Sequence, residues 1–426
     1  MMQQHQPQDS FGSTFDFSTD KGSYSIPKQA LIQYVEKAFL QEKKSFLLLP
    51  IPSSQDFIPF SVMEQIAKES ESVRKQMEIV LQTVPEQNDS LSDFHYTFGS
   101  LPDEPSVSYE SDPNAYVQDL ALLTNDTPGL FVNDIDGGKF HFVSQRHYDA
   151  VGDFVCKYVQ EELLVKRCKL DEYWLPLDMN AQTQKDQMVN IFMSKDALTN
   201  PNKLMLLIQG SGAVRPGQWA RALCMNDTLK TGTQYNYIVQ AMKEGYGVIV
   251  FNPNQNHYVP KELDDPTKYN KTGYMNRNKP EPLPKNVKKS IPHNQSPPEH
   301  TVYVWDHFVK KAAAKDVVIV AHSAGGWCTM ELLKERTQEC LNRVRAIAFT
   351  DSVHSVNSSD PKPVRDFVVA NAVNWVTSEK QCDVLVSPKR QGSSCECRSA
   401  GHNKHEYTSE FCREAAFSYI NAKLAQ

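Results

Sequence analysis

A chain of 426 residues, 40% apolar and 23% charged, has room for one large α/β domain with extensions, or for two or three average domains. Its net charge of −6 argues against a protein whose main work is gripping nucleic acid phosphates. Nine cysteines, odd in number and without repeated spacing, favour reduced thiols inside a cell over a disulfide framework.

Residues 1–22, rich in Gln, Ser and Asp, read as a disordered tail with no apolar core of the kind a secretory signal needs. No run approaches the ~18 apolar residues of a membrane span, and the final "NAKLAQ" carries no retention or lipidation signal. The expected address is therefore inside the cell. "PKQALIQYVEKAFLQEKK" places Leu31, Tyr34, Val35, Ala38 and Phe39 on one helical stripe, and a second helix is expected over residues 62–81. Residues 85–128 are Pro-, Ser- and Asp-rich and read as a linker, so 23–128 form a helical extension with a polar connection.

From about residue 129 the pattern changes. "GLFVNDIDGGKFHFV" reads as a hairpin around an Asp-Gly-Gly turn, followed by a helix over 148–164. Apolar strand candidates then fall at 173–177, 188–193, 204–209, 247–251, 317–320, 344–349 and 372–376. Helical segments at 233–244, 297–313, 325–338 and 409–423 stand between or after them. Near-continuous apolar strands alternating with helices predict a doubly wound, mainly parallel sheet covered on both faces. "SPPEHTVYVW" marks one helix start, with Ser296 as cap, Pro297 at the first position and Glu299 completing a capping box. Residues 254–298, with eight prolines and little hydrophobicity, read as a mobile insertion: a surface loop or a lid.

The stretch that carries chemistry is "VVIVAHSAGGW", a β-branched run driven into a serine flanked by small residues. A nucleophile elbow needs this pattern, because a strained strand-to-helix turn leaves no room for bulk around an exposed serine. Ala321-His322-Ser323-Ala324-Gly325 fits it, with alanine where the motif has its first glycine. The mechanism then requires an acid and a histidine, in that chain order. "AIAFTDSVHS" ends a strand at Asp351, and "SAGHNKHEYTSEF" offers His402 and His405 ahead of the last helix. His405, closer to the helix start, is chosen as general base for Ser323, with Asp351 orienting it. The bland alternatives are a loop-capping Asp351 and a helix-capping His405; His322 and His354 read as structural residues or as supports around the site. An oxyanion hole would draw on the amide of Ala324 and on Ser211 and Gly212 in "LMLLIQGSGAVRPGQW". "CEC" at 395–397 has no second Cys/His pair at metal-site spacing, so neither a metal nor a cofactor is expected.

"SKDALTNPNKLMLLIQGSGAVRPGQWAR", "EGYGVIVFNPN", "VYVWDHF", "VAHSAGG", "TDSVH" and "SAGHNKHE" together resemble the Arb2 domain family, named for an Argonaute siRNA-chaperone subunit, and within it the animal family-with-sequence-similarity-172 group of cotranscriptional regulators. The resemblance covers roughly 130–426. It implies an α/β-hydrolase-like domain and a nuclear role beside Argonaute-type proteins in small-RNA silencing, heterochromatin or splicing control, with RNA contacted through the partner. It also implies Ser323 as the candidate nucleophile and the same choice of His405. Two functional expectations stand: a nuclear scaffold on a hydrolase fold, or a working serine hydrolase on an ester, thioester or amide.

Overall fold

The computed structural model of the chain describes residues 14–19, 22–38, 49–52, 54, 58, 60–82, 96–99, 105–123, 129–133, 139–140, 145–260, 269–270, 281–282, 287–386 and 395–426. Two compact units emerge, one from Met1–Thr97 with Val132–Val151 and the other from Phe98–Phe131 with 152–426. The sequence reading has a tail over 1–22, an extension over 23–128 and a domain over 129–426. Residues 98–131 go with the larger unit and 132–151 with the smaller.

In the smaller unit Thr14–Thr19 and Gly22–Pro27 pair as an antiparallel hairpin, where composition alone reads as disorder. Phe15 of that hairpin is buried with Leu31, Val35 and Ala38, three residues of the expected helical stripe. The single helix expected over 62–81 is two, Phe60–Glu69 and Glu71–Gln82. Ser70 divides them: its hydroxyl accepts from Val73 N at 3.3 Å and donates to Glu36 at 2.6 Å, capping a new helix start.

The larger unit is built on an eight-stranded sheet. Its strands, in chain order, are β1 (Asp171–Leu175), β2 (Val189–Met193), β3 (Lys203–Ile208), β4 (Tyr246–Val250), β5 (Asp316–His322), β6 (Val344–Thr350), β7 (Ala372–Val376) and β8 (Glu396–Ser399). Across the sheet the order is β1-β2-β4-β3-β5-β6-β7-β8, and β2 alone runs against the others. Seven strands fall within two residues of the expected positions. β8 does not: it occupies the "CEC" segment, a short edge strand with an alternating polar pattern, and among the described residues no group of three His, Cys, Asp or Glu could hold a metal.

Alternation along the strands divides the core. Leu207, Val320 and Ala348 face one side and pack with Tyr237, Phe417 and Ile420 from the helices Tyr235–Lys243 and Arg413–Leu424. Ile208, Ala321 and Phe349 face the other and pack with Trp305, Met330 and Leu333 from Pro297–His307 and Gly325–Glu335. This is the doubly wound α/β-hydrolase-like architecture, with both faces covered because both are apolar.

The helices hold some corrections. Pro113–Leu123 is helical inside the expected linker, and Tyr116, Val117 and Leu120 join the first cluster on an i, i+1, i+4 stripe. The expected 325–338 helix ends at Glu335 and a second runs Thr337–Arg343. Ser296 caps its helix through Glu299 N at 3.3 Å, but Glu299 reaches Gln295 N at 2.9 Å instead of completing the box on Ser296. The Asp-Gly-Gly turn and much of the expected lid (261–268, 271–280, 283–286) lie outside the described residues.

Candidate active site

The chain winds outward in opposite directions from β3: to β4 on one side, to β5 on the other. Loops leaving the carboxyl ends of β3 and β5 therefore face one another, the place where open α/β sheets bind ligands. The loop after β3 carries Gly210, Ser211 and Gly212; the turn after β5 carries Ser323.

Ser323 adopts φ +52°, left-handed backbone that costs a non-glycine residue of order 1–3 kcal/mol. Its surroundings hold it there. Ser323 N donates to Thr350 O at 3.1 Å, and Ser323 O accepts from both Gly326 N and Val353 N at 3.1 Å. Small neighbours are a steric requirement. A Cβ on Gly325 would stand 2.5 Å from Ile208 O, one on Gly326 1.7 Å from Ser352 Oγ, and one on Gly210 2.8 Å from Ser323 Cβ. Ser323 lies just ahead of the eleven-residue helix Gly325–Glu335, whose N-terminal dipole favours negative charge beside it.

Asp351, the residue after β6, adopts the same left-handed backbone, at φ +44°. It is 7% exposed, and each carboxylate oxygen has a partner: Oδ1 accepts from Thr377 N at 3.1 Å and Oδ2 meets His405 Nδ1 at 2.7 Å. Because a carboxylate only accepts, Nδ1 carries a proton, and in the neutral ring Nε2 then keeps the lone pair a general base requires. His405 opens a short 3-10 turn, His405–Tyr407, fixed by Thr408 Oγ1 donating to His405 O at 2.8 Å. His402, the other candidate, instead accepts from Lys404 N at 3.0 Å and stacks on Tyr407.

The loop expected to stabilise an oxyanion leaves Ser211 and Gly212 exposed. Asn254 clamps it, donating to Gly210 O at 2.6 Å and to Val214 O at 3.2 Å. Ala324 lies at the N-terminus of the elbow helix, where backbone N–H groups have no intrahelical acceptor.

The structure gives His322 the supporting place that was one of its two readings, and it adds Gln209, which the sequence did not single out. His322 lies against His405 with ring centroids 4.7 Å and planes 34° apart, and burial together with the nearby His405 pushes its pKa down to about 3, so it is neutral near pH 7. Gln209, next to His322 by the register Ala321↔Ile208, is buried with neither carboxamide atom hydrogen-bonded among the described residues. Only the strand pairing shows either; the one sequence signal is a polar residue ending each apolar run.

Residues 139–382 match the family model for the Arb2 domain. The chain belongs to the Arb2 domain family. A Xenopus tropicalis relative, "Cotranscriptional regulator ARB2A homolog", is 39% identical over 310 residues, 67% of this chain and 72% of that one. A FAM172 family protein homolog of Caenorhabditis elegans is 31% identical over 306 residues, 70% of this chain and 85% of its own. Among solved structures, the histone deacetylase Clr3 aligns over 74% of this chain and 44% of its own at 14% identity, with a TM-score of 0.39. A score that low carries no argument, so the fold assignment rests on the strand order and the elbow. For this Arb2 domain the elbow and the His405–Asp351 pair lie at the carboxyl edge of one parallel sheet.

Proposed function

We propose that this Arb2 domain is a working serine hydrolase for an ester, thioester or amide, within a protein whose setting is gene regulation. One observation carries the enzymatic part: on the sheet edge that bears a serine in a left-handed elbow, a histidine has its Nδ1 engaged by a buried carboxylate at 2.7 Å. In the proposed step Ser323 Oγ attacks the acyl carbon while His405 Nε2 takes its proton. Asp351 steadies the imidazolium, and the amides of Ala324 and the Gly210–Gly212 loop receive the developing oxyanion. His405 then gives the proton to the leaving group, and water, deprotonated by the same nitrogen, releases the acid.

The relatives' printed name, cotranscriptional regulator, supports the regulatory setting and with it a nuclear place of work. An Argonaute-type partner, with small RNA, heterochromatin or splicing factors reached through it, belongs to the same proposal; a net charge of −6 suits indirect contact with RNA. The same printed name favours a second reading, a scaffold on a hydrolase fold.

Treatment with a fluorophosphonate, read by intact-protein mass, tests the enzymatic reading. Adduct on wild type, none on Ser323→Ala, and labelling at least about 100-fold slower on His405→Ala support it. Folded wild-type protein without adduct leaves the scaffold.

A further inference from the structure

Thr350 stands where three functional loops meet. Its carbonyl accepts from Ser323 N at 3.1 Å and from His322 Nδ1 at 2.9 Å, so one oxygen fixes both the elbow backbone and the imidazole beside it. Its hydroxyl lies 3.1 Å from the same Nδ1 and 2.8 Å from Ser409 Oγ. Ser409 follows Thr408, whose own hydroxyl holds the carbonyl of His405, so the hydroxyl pair ties the histidine-bearing turn to β6. The next residue after Thr350 is Asp351. Thr350, His322 and Ser409 are all buried.

The contact between the two rings gives this arrangement a consequence for His405. That ring is half exposed; Asp351 meets it along its edge at Nδ1 and His322 lies against it with the two ring planes 34° apart. A carboxylate bond alone leaves an imidazole free to rock about the N···O line; a fixed ring against its face removes that motion. His322 can serve only if it is itself held, which its two contacts to Thr350 achieve. It must also stay uncharged, since an imidazolium there would repel the charge forming on His405.

We propose that Thr350 and His322 are positioning residues for His405: Thr350 fixes the His322 ring as a platform under His405 and, through Ser409, anchors the turn that carries it. Neither exchanges a proton with the substrate in the proposed step; each acts through His405. The inference deepens the hydrolase reading and rests on it for its kinetic consequence, although the positioning of His405 can be measured independently.

Thr350→Val keeps the β-branched shape and the backbone bonds and removes only the hydroxyl; Thr350→Ser restores it; Ser409→Ala breaks the same link from the other side. Fluorophosphonate labelling is expected to slow about ten- to hundredfold in Thr350→Val, to slow in the same sense in Ser409→Ala, and to return to within about threefold of wild type in Thr350→Ser. The second readout needs no activity. It follows the His405 imidazole resonances against pH in histidine-labelled protein, with thermal unfolding recorded to show that each variant is folded. The groups facing His405 include Asp351 from the β6 turn and His322 from β5, with the exposed Lys404 and Glu406 beside it in the chain. A loosened His405 loses part of its hold on Asp351, so its titration midpoint should fall by about half a pH unit or more in Thr350→Val and recover in Thr350→Ser. An unlabelled wild type with these midpoint shifts would sink the hydrolase reading and leave the positioning intact. Unchanged labelling and midpoint in both Thr350→Val and Ser409→Ala would overturn the positioning, as would a serine variant that fails to recover.

Discussion

The two faces of the sheet differ at one position. Ile208, Ala321 and Phe349, on β3, β5 and β6, point into one apolar cluster almost to the strand ends. One residue on, Gln209, His322 and Thr350 point to the opposite face and form a buried polar row beneath His405. A strand's period of two makes this possible: neighbouring positions meet unrelated environments, so the same three strands can be apolar filling on one side and support for a site on the other. The apolar face supplies stability roughly in proportion to the surface it hides, while the polar row is tolerated for the geometry it imposes. Strain follows the same division, with the left-handed Ser323 and Asp351 both lying immediately beyond that row.

Substitutions can test the comparison, and the largest effect is expected from Asp351→Asn. Shape is preserved, but the amide favours the wrong tautomer of His405, and labelling should fall about 10³–10⁴-fold with little loss of stability. Labelling within tenfold of wild type would mean the pair is structural. Gly325→Ala comes next. Its methyl would meet a backbone carbonyl that cannot swing aside, so a fall of roughly 2–4 kcal/mol in unfolding free energy is expected by urea titration, with labelling lost as well. Phe349→Ala, on the apolar face, should cost about 3–5 kcal/mol yet leave the labelling rate of folded protein unchanged well below its transition. Thr350→Val, one residue away, should do the reverse. If Phe349→Ala slows labelling as much as Thr350→Val does, the two faces are not separable.

The last test is in pH. Burial holds His300 and His322 at about 3 and His354 at about 4, against an ordinary 6.5. Between those values the unfolded chain binds protons on these rings and the folded chain does not, so stability increases with pH across the window. The contribution is complete above about 6.5 and is lost as pH falls toward 4, with a slope approaching about 1.4 kcal/mol per unit for each ring. Urea midpoints at pH 7 and pH 5 should differ accordingly, and His300→Phe should reduce the difference. Equal midpoints would show that the rings are hydrated and charged in the folded state.

Much of this was legible in the sequence. Strand positions followed from β-branched runs too apolar for anything but a covered sheet, and the elbow from a serine among residues too small to be there for packing. His405 and Asp351 were placed by mechanism and chain order, reinforced by resemblance. What escaped depended on pairing between distant residues. Thr350 and His322 are 28 apart, and Thr350 and Ser409 are 59 apart. Either threonine or serine alone is an ordinary strand or helix residue. β8 escaped because a four-residue edge strand with polar alternation resembles a loop, and Pro113–Leu123 because its Ser-, Asp- and Pro-rich approach masked a short stripe.

The most direct measurement of the central claim is pre-steady-state turnover of a p-nitrophenyl ester, with peptide mass spectrometry of the quenched protein. The expected result is a burst of nitrophenolate stoichiometric with protein, an acyl group on Ser323 that decays with turnover, and no burst from Ser323→Ala. Equal ester consumption by wild type and Ser323→Ala, with no acyl group on Ser323, would contradict a nucleophilic role for the elbow.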